Sequence, residues 1–261
     1  MRTKRGHILI LAFIAGLGTL ATFLVLGTGC KGGGPTDPIN PTTKLTLKGT
    51  ITSGGSAMEG VPVFLSGDKS LNTVTDAAGA FSFADVTGSS FVVTPSLKNN
   101  SFSPSNYEVG KSPRSDLNFT AAAATYGSVI GQIAADLTAV NQAGQPVSLY
   151  SYFGKVVLID FSADWCGPCQ AEAAVAESLY QTYKDKGFEM VTILISGPPA
   201  TWASTYGLTF SVLDDNASTL WAIYGEGYIP LNIILDRNMT IRYKTAGYSE
   251  AEIVTNIKKY L

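Results

Sequence analysis

Near residue 125 the sequence changes its period, and this change limits the folds open to the chain more than any other feature. Between residues 44 and 121 the apolar positions come in short alternating runs: KLTLKGTI, GVPVFLSG, SLNTVT, GAFSFADV, SFVVTPS and SDLNFTA. Leu45/Leu47, Val61/Val63/Leu65 and Phe81/Phe83 are each spaced by two, as residues on one face of a strand are. Turn formers, such as those at 76–79, separate the runs, so residues 44–121 are predicted to fold as an antiparallel β-sandwich. A polar-small joint at 121–125 follows. From residue 126 strand-like and helical stretches alternate. DLTAVN and QPVSL flank a turn at 142–144, and KVVLIDFS (155–162) is an apolar run broken only by Asp160, as in a strand covered on both faces. CGPCQAEAAVAESLYQTYKDKG reads as a helix stopped by Gly187. FEMVTILI, FSVLDD, IPLNIILD and TIRYKTAG read as further strands, and PATWASTYG, ASTLWAIYG and residues 249–261 as helices. Residues 126–261 are therefore predicted to form a three-layer α/β domain whose sheet ends in an antiparallel hairpin.

Residues 1–30 read as an export signal. Arg2, Lys4 and Arg5 precede an uncharged apolar run from Ile8 to Leu26, and Gly27, Thr28 and Gly29 lead to Cys30. A cysteine directly after small residues resembles a bacterial lipoprotein signal, in which Cys30 would be lipidated and become the mature N-terminus. The pattern prefers Leu three residues before the cysteine, where this chain has Gly27; an uncleaved membrane anchor is the alternative. In either case the chain beyond residue 30 faces away from the cytoplasm. Lys31, in place of an Asp, favours outer-membrane sorting within the lipoprotein pattern. KGGGPTDPINPTT (31–43) has the Gly and Pro content of a flexible linker. Lys and Arg total 18 against 20 Asp and Glu, and three of the bases sit in the signal, so the remainder is acidic. That excludes a binder of nucleic-acid backbones.

The one histidine, His7, also lies in the signal. The rest of the chain must therefore do its chemistry without imidazole, which rules out Ser-His-Asp and Cys-His nucleophile pairs and His-ligated metals. Of the three cysteines, Cys166 and Cys169 are three apart, at the handover from the 155–162 strand to a helix. Thiols at that spacing can close a disulfide, and the first faces the free N–H groups and positive end of the helix, which stabilise its thiolate. A tetrahedral zinc site needs more ligands than two cysteines supply. A two-residue spacer closes too small a loop to stabilise a fold much. Redox chemistry is what remains, with the Cys166–Cys169 disulfide itself as redox group and no added cofactor.

The motif Trp165-Cys166-Gly167-Pro168-Cys169 in this setting resembles the thioredoxin superfamily, and within it the membrane-tethered TlpA/ResA-type thiol-disulfide oxidoreductases. The resemblance covers roughly residues 131–261 and is carried by V-V-L-I-D-F-S-A-D-W-C-G-P-C-x-x-E at 156–172, Y-G-x-x-Y-I-P at 224–230 and L-D-R-N at 235–238. It implies a thioredoxin fold and a cis-proline at Pro230 opposite the disulfide. It also implies that the Ile229 backbone pairs with a substrate segment, with Trp165, Gly167 and Pro168 beside it; Trp165 reads equally as a packing lid. Glu172 matches an acid typical of the TlpA/ResA branch, whereas Asp160 matches the buried acid of thioredoxin itself. Ala174 and Leu231 depart from the residues common at their positions. In the first half, G-V-P-V-x-L-x-G, T-D-x-x-G-x-F-S-F and F-x-V-T-P-S resemble carboxypeptidase-regulatory-like and Cna-B-like sandwiches, which names no activity; a Lys48–Asn118 isopeptide bond of the Cna-B kind is not singled out by its surroundings.

The expected function is an extracytoplasmic reductase of protein disulfides. Cys166 attacks, Cys169 resolves, Asp160 takes the proton of Cys169, and a transmembrane thiol donor restores the pair. Two rivals stand beside it. A surface-binding or structural lipoprotein could carry a vestigial redox domain. A peroxiredoxin-like peroxidase would need Thr or Ser three residues before its nucleophile, where this chain has Ala163. Asp214, Asp215 and Asn216 are expected to make a turn and helix cap rather than a calcium site, and Trp202 and Tyr206 to be core or interface residues.

Overall fold

The computed structural model describes residues 44–261. The export signal expected at 1–30, with Cys30 as its expected lipidation residue, and the linker expected at 31–43 lie outside the described residues. Among the described residues no helix is long and apolar enough to cross a membrane.

The first half is β-rich. Strand β1 (Leu45–Ser53) turns Leu45, Leu47 and Ile51 inward, and its first part pairs with β5 (Ala80–Val86). Its last part pairs with the short β2 (Ser56–Ala57) and with β9 (Phe119–Ala123), and β9 pairs in turn with β7 (Asn100–Ser103). A second sheet runs β4 (Leu71–Val74), β3 (Pro62–Gly67), β6 (Phe91–Pro95), β8 (Tyr107–Val109). Inward residues of both sheets, among them Leu47, Val63, Phe81, Val93 and Phe119, share one apolar cluster. Gly49 occupies an inward position of β1 because the chain crosses it closely: a Cβ there would stand 1.9 Å from the Leu117 carbonyl oxygen.

This half departs from the expected all-antiparallel pairing, since β1 and β9 run parallel. The six runs read from the sequence all appear, and β2, β7 and β8 join them unforeseen. In β7 only Phe102 is fully buried, which leaves no alternation to read. The Asn118 amide accepts from Thr50 N (3.0 Å) and Thr50 Oγ1 (2.9 Å), so it is committed to Thr50 and not to Lys48.

The second half has the expected alternation. Two small pairs, β10 (Tyr126–Gly127) with β11 (Ile133–Ala134) and β12 (Thr138–Val140) with β13 (Pro146–Ser148), precede the main sheet. That sheet is ordered β16 (Ser211–Asp214), β15 (Phe188–Ser196), β14 (Val156–Ala163), β17 (Leu231–Leu235), β18 (Ile241–Ala246). The first three are parallel and the last two antiparallel. Every residue of β14 is buried, Asp160 included, as expected of an apolar strand covered on both faces. Helices α1 (Gly167–Tyr183), α2 (Pro199–Tyr206) and α4 (Glu250–Tyr260) share an apolar cluster with Leu158, Met190 and Ile234 on one face of the sheet. On the other face Ile159, Ile193 and Ile233 pack against Leu137, Leu149 and the single turn α3 (Trp221–Tyr224). Helix α3 is shorter than the sequence suggested, because Asp215 satisfies the N–H groups of Leu220 (2.9 Å) and Trp221 (2.8 Å) and fixes the start there. This is the turn-and-cap role expected of the Asp214–Asn216 segment. Trp202 is buried and packs on Tyr206, with ring centroids 4.8 Å apart.

The β-rich half packs on α4 and on the turn between β17 and β18. Asn238 in that turn accepts from Leu97 N (2.9 Å) and donates to Asn100 O (3.0 Å), and Ser96 Oγ donates to Arg237 O (2.8 Å). Arg242, ion-paired with buried Asp236, donates to Ser105 Oγ (2.7 Å) and Ser105 O (3.0 Å). The pairing of Val157 with Leu235 sets this turn beside the start of β14, at the opposite end of the sheet from Cys166.

Candidate active site

The site forms where β14 ends. The chain leaves the sheet at Ala163, passes exposed Asp164 and Trp165, and enters α1 with Cys166 as its N-cap. Pro168 sits in the first turn, where its missing N–H costs nothing and its fixed φ suits a helix. Cys166 and Cys169 are joined in a disulfide with Cα atoms 5.2 Å apart. The amide of Cys169 points at Cys166 Sγ from 3.3 Å. A thiolate on Cys166 would thus receive a backbone N–H and the positive end of the helix. Cys169 is fully buried and Cys166 nearly so, while Gly167 and Pro168 are exposed.

The Ile229–Pro230 peptide, which is cis, lies across from the disulfide, with the Ile229 carbonyl oxygen 3.9 Å from Cys166 Sγ. Trp165, 69% exposed, is too open to be a packing lid, and Tyr228, 75% exposed, stands next to Ile229 in sequence. Tyr228 entered the sequence reading only as part of the Y-G-x-x-Y-I-P motif, with no role given to it; its place beside the Ile-Pro step was the available signal.

Beneath the disulfide the face of the sheet turned to α1 carries a buried polar row. Strand alternation puts Asp160 and Ser162 on this face with Leu158. The register sets Thr192 of β15 and Asn232 of β17 on either side of Asp160. Ser162 Oγ donates to the Asp160 carboxylate (2.9 and 2.8 Å to the two oxygens), and Thr192 Oγ1 donates to Asp160 Oδ2 (3.2 Å). Glu172, reaching down from α1, accepts from Asn232 Nδ2 at 3.2 Å. Both acids are almost fully buried. Burial pushes Asp160 up to about 7 against the pull of its two hydroxyl donors. Burial, and then the neighbouring Asp160 charge, push Glu172 up to about 9 against the pull of the N–H that Asn232 donates to it. Asn232 escaped the sequence reading because it lies in the apolar run IPLNIILD; only the strand register reveals that it neighbours Asp160. Among the described residues no three His, Cys, Asp or Glu side chains gather as metal ligands.

Comparison with known proteins places this half of the chain. Residues 130–244 match the model of the AhpC/TSA family. The chain is 28% identical over 135 residues to the thiol-disulfide oxidoreductase ResA of Geobacillus thermodenitrificans, covering 51% of this chain and 76% of that protein. It is 34% identical over 104 residues to ResA of Oceanobacillus iheyensis, covering 39% of this chain and 54% of the relative. Among solved structures, a secreted disulfide oxidoreductase of Mycobacterium tuberculosis aligns with a TM-score of 0.41 at 25% identity, over 46% of this chain and 93% of that one.

Proposed function

With residues 130–244 identified as a thioredoxin-like AhpC/TSA domain, we propose that this thiol-disulfide oxidoreductase works outside the cytoplasm as a reductase of protein disulfides. The observation that carries this reading is the Cys166–Cys169 disulfide at the start of α1, with the Cys169 amide aimed at Cys166 Sγ. In the reduced enzyme the Cys166 thiolate attacks one sulfur of a substrate disulfide. That bond breaks, the leaving thiolate takes a proton, and a mixed disulfide joins Cys166 to the substrate. Cys169 then gives its proton to Asp160, its sulfur attacks Cys166 Sγ, and the second substrate sulfur leaves and is protonated. Two electrons pass to the substrate, and the disulfide seen in the structure is the enzyme's oxidised product. An external dithiol, supplied by a transmembrane donor, resets it. Trp165, Gly167, Pro168 and the Ile229–Pro230 step form the substrate contact.

The β-rich half at 44–121 fits a carboxypeptidase-regulatory-like sandwich, supported by the apolar cluster its two sheets share, and serves as a spacer between a lipidated Cys30 and the redox domain. A peroxidase is disfavoured because Ala163, buried at the end of β14, supplies no hydroxyl three residues before the nucleophile. A vestigial redox domain is disfavoured by an intact, closed cysteine pair. Insulin reduction with dithiothreitol as electron source tests the assignment. The wild type should accelerate precipitation of the insulin B chain, Cys166→Ser should be inert, and Cys169→Ser should accumulate mixed disulfides. A wild type no faster than dithiothreitol alone would return the protein to the binding class.

A further inference from the structure

Two buried acids lie under the disulfide, and their hydrogen-bond partners are of opposite kinds. Asp160 is met only by donors, the hydroxyls of Ser162 and Thr192, which suit a carboxylate. Glu172 is met by an amide. Asn232 Nδ2 has two protons, one directed to Glu172 Oε2 (3.2 Å) and one to the Gly247 carbonyl oxygen (3.3 Å). The Gly247 carbonyl can only accept, so it fixes which end of the Asn232 amide is the nitrogen. Two buried atoms are then left without a protein partner, Glu172 Oε1 and Asn232 Oδ1, one on each member of the pair, and as written both are acceptors. A single proton on Glu172 Oε1, donated to Asn232 Oδ1, satisfies both and closes the two-bond ring that a carboxylic acid and a primary amide form. An ionised Glu172 would instead leave a charged oxygen and an amide oxygen buried without donors, each at the cost of its desolvation.

We infer that Asn232 is a positioning residue that holds Glu172 in its protonated form through this acid–amide ring, and so leaves Asp160 as the carboxyl that exchanges a proton with the thiols. This deepens the proposed mechanism and rests on it only for the thiol step; the protonation of Glu172 stands on the local geometry. The other ionisable groups facing the pair are Cys166 and Cys169 at the start of α1, Asp160 on β14, Tyr243 on β18 and Tyr248 before α4. Burial pushes both tyrosines up to about 12, so they stay neutral across the range of the test.

Infrared difference spectroscopy on the full-length oxidised protein at neutral pH reads the proton directly and does not depend on turnover. The wild type minus Glu172→Gln should contain a protonated-carboxyl C=O band belonging to Glu172. That band should persist in Asp160→Asn, because burial and the ring with the amide hold the proton without the neighbouring charge. In Asn232→Leu it should move to higher wavenumber or vanish, and the acid limb of the thiol-exchange pH profile should shift with it. Glu172→Gln, whose own amide can pair with Asn232 in the same ring, should keep the wild-type fold. Absence of the band in the wild type, its loss in Asp160→Asn, or an unmoved band in Asn232→Leu would overturn the inference. Should Asn232→Leu not fold, the comparison of wild type, Glu172→Gln and Asp160→Asn decides alone.

Discussion

The acids under the disulfide make stability depend on pH in a direction that can be worked out. Asp160 and Glu172 both bind protons more tightly folded than unfolded, since burial raises them from 3.8 and 4.5. Their contribution is fully present below those unfolded values. It is lost as pH rises through about 7 for Asp160 and about 9 for Glu172. Urea unfolding of the oxidised protein between pH 5 and pH 9 should therefore show stability falling with pH, at a slope approaching about 1.4 kcal/mol per pH unit for each proton released. The double variant Asp160→Asn, Glu172→Gln should flatten this slope, and Asp160→Asn alone should stabilise most above neutral pH, where the wild type buries a charge. A slope equal in wild type and double variant would show that neither acid is strained by burial. Asp160 was legible in the sequence because a lone charge interrupts an apolar strand. Asn232 was not, because an uncharged amide in a similar strand acquires meaning only from its cross-strand neighbour.

At the scale of elements, the chain announced most of what it builds. The buried strand β14 and the helix α1 are local patterns, one an apolar run interrupted by Asp160 and the other opened by Pro168. The parts that escaped are set by tertiary pairing. Strand β7 pairs with β9, and β8 with β6, without a periodic signal of their own, and the parallel run of β9 on β1 follows from a crossing made possible at Gly49. The turn between β17 and β18 is another such case. Its L-D-R-N sequence drew notice only through the family resemblance, yet the structure uses it to seat the β-rich half. Asn238 is buried and satisfies Leu97 N and Asn100 O across that contact. Asn238→Ala leaves both groups unpaired and should cost about 1–3 kcal/mol in urea unfolding. Its insulin-reduction rate should stay near wild type, because the turn lies at the far end of the sheet from the disulfide. A large loss of activity with unchanged stability would mean that the turn communicates with the thiols.

At the scale of the molecule, the proposed order is an anchor at Cys30, then the β-rich half, then the redox half. The anchor is read from the sequence alone and has its own test. Labelled fatty acid should attach to the wild type expressed in a bacterial host and not to Cys30→Ala, whereas an unlabelled wild type retaining residues 1–29 would establish an uncleaved anchor instead. Net direction is the central claim, and the reduction potential of the Cys166–Cys169 pair tests it most directly. Full-length protein equilibrated in dithiothreitol redox buffers, with thiol content read by alkylation and mass, should give a value near thioredoxin's, about −270 mV, as the Gly167-Pro168 spacer leads one to expect. A value above about −180 mV, in the range of disulfide isomerases and oxidants, would contradict a reductase.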